Sequence, residues 1–139
     1  LLRAAAQDQT GSPMSGGAQK LGRIRAEREG RRAEWLASAW LALRGFQILA
    51  RRFKAAGGEI DLVARRARLL VFVEVKARPR LDDAVFAVTT RARRRVEAAG
   101  RIFLSRHPGL VDLGLRYDII AVAGWRLRHV PDAWREEDR

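Results

Sequence analysis

Three residues of this chain have the types and spacing for phosphoryl chemistry: Asp61, Glu74 and Lys76. Asp61 ends the run Gly58-Glu59-Ile60-Asp61, and the other two frame Glu74-Val75-Lys76, in consecutive stretches patterned as strands. If those strands close over a short even-numbered loop near Ala67-Arg68, Asp61 and Glu74 stand opposite one another, with Cβ atoms about 4.5–5.5 Å apart. Lys76 then shares the face of Glu74, about 6.5–7 Å further along the strand. Two carboxylates at that spacing do not both ionise cheaply without a cation between them. Hard oxygen ligands with no His or Cys beside them suit Mg2+ or Mn2+ rather than zinc. Such an ion polarises a phosphate oxygen and acidifies a bound water, which is what phosphodiester hydrolysis needs. A neighbouring ammonium orients that water or balances charge on the pentacoordinate phosphorus.

The bland alternative is a solvent-facing strand with an ordinary carboxylate–lysine pair. Two features weigh against it. Residues 69–75 (LLVFVEV) are too apolar for an edge strand, and Lys76 is one of three lysines in a chain with twenty-five arginines. An ammonium is a compact charge whose pKa shifts, a property no guanidinium matches.

The elements that must position these residues follow from periodicity. Residues 1–21 read as a poorly ordered leader, 22–134 as a single domain and 135–139 as a frayed tail. From about 23 to 44, Ala33, Leu36, Ala37, Trp40 and Leu41 form the stripe of an amphipathic helix that Gly45 ends. Strands are predicted over 46–53, 59–64 and 69–76. Phe46, Ile48 and Ala50 share a face of the first, and Val71, Val73 and Val75 oppose Phe72, Glu74 and Lys76 on the third. A loop with Pro79, Asp82 and Asp83 leads to a helix over 90–105 with Val96, Ala99, Ile102 and Phe103 inward, and strands follow over 115–122 and 126–130. Short links make strands one to three antiparallel, and the helical crossover makes three and four parallel. The fold class is α/β, a mixed central sheet flanked by helices.

Composition narrows the partners. The net charge is +12, with +6 of it in residues 45–80 and −1 in residues 108–139, so a structured basic surface for a polyanion such as nucleic acid is favoured over a basic tail. The absence of cysteine excludes disulfides and thiol chemistry. No apolar run approaches the roughly 20 residues of a membrane span, and no signal pattern is seen, so no membrane partner is expected and the expected address is the cytoplasm. His107 abuts a Pro-Gly helix stop and His129 falls on a short late strand, neither with a metal-ligand partner at sensible spacing. For Trp35, Trp125 and Trp134, packing is favoured over base stacking.

Gly57-Gly58-Glu59-Ile60-Asp61-Leu62-Val63 and Leu70-Val71-Phe72-Val73-Glu74-Val75-Lys76-Ala77-Arg78 resemble the signature of the YraN-like bacterial proteins, a family assigned to the PD-(D/E)xK nuclease superfamily. The resemblance runs from about residue 30 to 134, through Gly45-Phe46-Gln47-Ile48-Leu49-Ala50-Arg51, Ala87-Val88-Thr89 and Arg116-Tyr117-Asp118-Ile119-Ile120-Ala121-Val122. It implies a restriction-endonuclease-like αβββαβ core similar to that of archaeal Holliday-junction resolvases. It also implies Asp61, Glu74 and the main-chain carbonyl of Val75 as metal ligands, Lys76 as the catalytic lysine and Glu34 as the first-helix carboxylate. Where relatives usually carry Pro and then Lys-Gln after the position of Thr89, this chain has Thr90 and then Ala92-Arg93. Arg78, Arg91, Arg93, Arg94 and Arg95 are the candidate contacts to phosphate.

The expected function is a metal-dependent endonuclease acting on DNA, with branched DNA among its substrates and, by analogy with the resolvases, a homodimer. A nucleic-acid-binding protein with the nuclease fold and little turnover is the alternative, and an adaptor for an acidic protein partner is a third reading.

Overall fold

The computed structural model describes residues 13–136. A long helix α1 (Pro13–Leu43) precedes three strands, β1 (Gln47–Ala55), β2 (Gly58–Arg66) and β3 (Leu69–Ala77). A short helix α2 (Leu81–Phe86), a longer α3 (Thr90–Arg106) and a 3-10 turn (Pro108–Leu110) lead to β4 (Gly114–Ala123) and β5 (Arg126–Trp134). The five strands lie in sequence order in one sheet. β1–β2, β2–β3 and β4–β5 are antiparallel and β3–β4 is parallel, as the loop lengths predict. The chain is an α/β fold, a five-stranded mixed sheet flanked by helices, consistent with a restriction-endonuclease-like core.

Each sheet face has its own core. Ala33, Ala37 and Leu41 of α1 pack on Leu62, Val71, Val73, Val75, Ile120 and Val122, while Val96, Ala99 and Phe103 of α3 pack on Ile60, Val63, Leu70, Phe72 and Ile119. Covered on both faces, β3 and β4 read as near-continuous apolar runs rather than alternations. The Phe103 ring meets Phe53 and Phe72 edge-on, with centroids 5.2 and 5.9 Å apart. α1 stops where Gly45 predicts, the Phe46 N–H returning to the Leu41 carbonyl at 3.0 Å.

Four expectations differ from the structure. α1 begins at Pro13, so 13–21, read as leader, is helical; proline suits a first helical position, and Ala18-Gln19-Lys20-Leu21 propagate the helix despite Gly16 and Gly17. Residues 1–12 of that leader lie outside the described residues. Asp82 and Asp83, placed in a loop, are in the first turn of α2, where acidic side chains complement the helix dipole. Ala50 packs with the α3 core rather than beside Ile48, because the β1–β2 register shifts between them. β5 continues to Trp134, and the tail from 135 is tied down at Glu136, which accepts hydrogen bonds from Tyr117 Oη at 2.9 Å and Arg101 at 3.3 Å. Residues 137–139 lie outside the described residues. Among the described residues, no helix is long and apolar enough to cross a membrane.

Candidate functional site

β2 and β3 begin as a tight hairpin over Ala67-Arg68, Ala67 taking φ 52°, and pair from Arg66↔Leu69 up to Leu62↔Val73. The expected facing pair Asp61–Glu74 is the next rung, and there the ladder ends. β2 stays paired with β1 through Phe53↔Ile60 and Ala55↔Gly58, so the two strands part at Asp61. The Asp61 carboxylate enters the opening and accepts the Val75 backbone N–H at 2.8 Å, replacing the strand bond that is lost. Ile60 packs toward α3 while Leu62 packs toward α1, which places Asp61 where β2 changes face.

The sequence-predicted site residues Glu34, Asp61, Glu74, Val75 and Lys76 line one cavity of about 330 Å³ with Glu59, Ala92 and Arg95. Of the predicted arginines, Arg95 is in this wall. Arg78 lines an adjoining hollow with Val75 and Lys76. Arg91 and Arg94 are exposed on α3 outside the cavity lining. The Arg93 guanidinium lies 5.5 Å from the Trp134 ring centroid, likewise outside the lining.

The electrostatics follow from burial. Glu74 is 9% exposed. Burial pushes its carboxyl up to about 8, and the Asp61 charge adds to the rise, against the pull of Lys76, whose Nζ is 3.5 Å from Oε1. Asp61 is pushed up to about 6, first by burial, with the Val75 N–H opposing. Both carboxyls therefore hold protons in the folded state that the unfolded chain has released, so stability falls as pH rises through the window from about 4 to about 8. In EDTA, wild-type protein should lose on the order of 2 kcal/mol between pH 5 and pH 8, and Glu74→Gln should flatten most of that slope. Thermal melts across the window check this; a variant with the wild-type slope would remove Glu74 as its source.

Glu34, at the cavity wall, is also paired with an arginine. Its Oε2 accepts from Arg52 Nε at 2.7 Å. Arg52 has φ 49°, a conformation L side chains rarely adopt. That irregularity lets consecutive residues reach the same helix, since Arg51 also donates to Ser38 Oγ at 2.6 Å. Consistent with this pairing, no group of three or more His, Cys, Asp or Glu side chains stands ready to hold a metal among the described residues. The hard-oxygen donors that converge are Asp61 and Glu74, whose like charges have Lys76 as a neighbouring cation. That donor set suits Mg2+ or Mn2+ and not a soft ion.

Sequence reasoning missed Arg52, whose role depends on a backbone irregularity that no local pattern signals. It also missed a buried polar chain beside α1. Asp118 is fully buried and accepts from Arg116 at 2.8 and 2.9 Å, from His129 Nε2 at 2.7 Å and from the Asp132 N–H at 2.9 Å. Burial alone would raise its pKa, but these donors together hold it below the ordinary carboxylate value. Trp40 Nε1 donates to His129 Nδ1 at 3.4 Å, so the imidazole read as bland links helix and sheet.

Comparison with known proteins matches residues 33–122 to the family described as "Uncharacterised protein family UPF0102". A UPF0102 protein of Paramagnetospirillum magneticum is 50% identical over 115 residues, covering 79% of this chain and 89% of that protein. One from Chelativorans is 53% identical over 107 residues, covering 77% and 86%. One from Rhizobium meliloti is 49% identical over 113 residues, covering 81% and 93%. The matched span contains Glu34, Asp61, Glu74 and Lys76 together with strands β1 to β3, and on this footing the chain belongs to the UPF0102 family, the YraN-like proteins.

Proposed function

We propose that this protein is a metal-dependent endonuclease that hydrolyses DNA phosphodiester bonds. The observation that carries the reading is the pair of carboxylates, half-buried Asp61 and buried Glu74, set where two strands part, with an ammonium 3.5 Å from one of them. Burying two like charges is costly, and the cost is tolerable if the site exists to receive a cation. Asp61, Glu74 and the Val75 carbonyl are the groups proposed to hold Mg2+ or Mn2+. Such an ion, when bound, polarises a phosphate oxygen and lowers the pKa of a bound water.

The chain's own residues supply the rest. Lys76 faces the phosphate and offsets charge that builds on its oxygens. Arg95, at the α3 wall, holds the strand by an adjacent phosphate, and Arg78, Arg91 and Arg94 extend the basic track on which duplex phosphates would lie. Phosphate contacts of this kind make affinity fall steeply with salt.

One observation favours the alternative of a binding protein with little turnover: Glu34, although it lines the cavity, is already paired with Arg52. Cleavage separates the two. Labelled single strand, duplex, flap, four-way junction and RNA, each incubated with Mg2+, Mn2+ or EDTA, should show cutting of a DNA substrate only with metal. Salt-sensitive binding with no cutting under any condition would overturn the nuclease reading in favour of the binding protein. Binding indifferent to salt would overturn both.

A further inference from the structure

The hairpin joining β4 and β5 turns at Gly124-Trp125, between the paired residues Ala123 and Arg126. Gly124 has φ 62°, and a glycine with positive φ at the first position suits a tight two-residue hairpin turn. Trp125, at the second position, has no core to enter and is 77% exposed. It is nevertheless held. Arg32 of α1 donates to the Gly124 carbonyl at 2.6 Å and sets its guanidinium 4.7 Å from the indole centroid. One helix residue thus pins the turn and stacks a cation on the ring, leaving a large apolar surface open to solvent.

The location gives that surface a use. β3 and β4 are parallel neighbours with Lys76 beside Ala121, and the Arg78 N–H bonds the Val122 carbonyl at 3.0 Å. Trp125 therefore stands at the same end of the sheet as Lys76, one strand across and four positions on, about 14 Å away by strand spacing and rise. The stretch 119–131 contains no acidic residue; Arg126 follows the indole directly, while Arg128 is paired with Asp82 of α2 and leaves Arg32 and Arg126 as the cations beside the ring. An exposed indole among arginines, a few nucleotide lengths from a phosphate-cleaving centre, matches the chemistry of an unpaired base: a π-face to stack on and a backbone to neutralise.

We infer that Trp125, backed by Arg32, is a stacking platform for an unpaired base of the DNA strand that runs from the Asp61–Glu74–Lys76 cavity. This rests on the nucleic-acid reading of that cavity, and it makes the preferred substrate a duplex with a single-stranded arm rather than a blunt duplex. An aromatic platform is sequence-tolerant, so it selects for DNA structure and not for sequence.

Binding in EDTA tests the platform apart from cleavage. The probes are a fluorescent blunt duplex and the same duplex carrying a single-stranded tail, titrated with wild type, Trp125→Ala and Trp125→Phe. Wild type should prefer the tailed probe. Trp125→Ala should weaken tailed binding about ten-fold, leave blunt duplex within about two-fold and keep the salt slope, because no charge is removed. Trp125→Phe should recover most of the loss. Equal affinity of wild type and Trp125→Ala for the tailed probe, or no preference for the tail in wild type, overturns the inference while duplex binding still supports the basic track. Failure of wild type to bind either probe removes the nucleic-acid reading itself.

Discussion

Replacing Gly58 with alanine is expected to lower the unfolding free energy by about 3–4 kcal/mol, near the upper end for a single substitution. A Cβ built on Gly58 would stand 1.8 Å from the Arg95 carbonyl oxygen and 2.7 Å from its carbonyl carbon. Those atoms belong to the α3 backbone, which cannot yield as a flexible side chain can. Either α3 moves outward or β2 bends. Both responses damage the packing of Val96, Ala99 and Phe103 against the sheet. For a domain of this size the melting temperature should fall by roughly 10 °C or more. Circular dichroism melts check this against Gly22→Ala, where an added Cβ meets nothing within 4 Å and the change should instead stabilise α1 by about 0.5 kcal/mol. Equal melting of Gly58→Ala and wild type would mean that α3 is not seated on β2 as described.

The same contact sets the width of the cavity. Gly58 is three residues before Asp61 on β2, and Arg95 and Ala92 are the α3 contribution to the wall. Absence of a side chain at 58 lets the helix approach closely enough to bring Arg95 to the carboxylates. The glycine is thus a device of the site as much as of the core.

How much of this could be read from the sequence depends on whether each feature is local. The valines of β3 alternate against Phe72 and Glu74 because a strand has period two, and that pattern alone put Glu74 and Lys76 together. The two-residue turn at Ala67-Arg68 fixed the β2–β3 register, so Asp61 could be brought to Glu74 by counting. The parting of β2 from β3 at Asp61 could not be counted, because it arises where β2 remains paired with β1 while an aspartate side chain takes the Val75 N–H. Arg52 was invisible for the same reason: its reach to Glu34 needs a left-handed residue in β1. Asp118 and His129 meet across a hairpin with an irregular register, so the spacing of eleven residues carried no signal. Glycines near position 16 read as a linker, yet the helix runs through them, since in an exposed helix they weaken propagation without stopping it.

Lys76→Ala is expected to reduce metal-dependent cleavage about 100- to 1,000-fold, the size seen when one charge-stabilising donor is removed from a polar active site. Binding should change little. Lys76 supplies one charge among a net +12, and the other proposed phosphate contacts are arginines, so the salt slope should shift by no more than about one phosphate. Lys76→Arg should not rescue cutting. The guanidinium is larger and planar, and the space beside Glu74 accommodates an ammonium 3.5 Å from Oε1. Loss of the cation also leaves the buried Glu74 without the partner that lowers its pKa, so the metal-free variant should hold the Glu74 proton to higher pH than wild type. Single-turnover cleavage and binding, measured on one substrate, distinguish the roles. A drop in cleavage with preserved binding places Lys76 at the reacting phosphate. A parallel drop in both makes it one more backbone contact, and unchanged cleavage would move the catalytic centre away from the Asp61–Glu74 cavity.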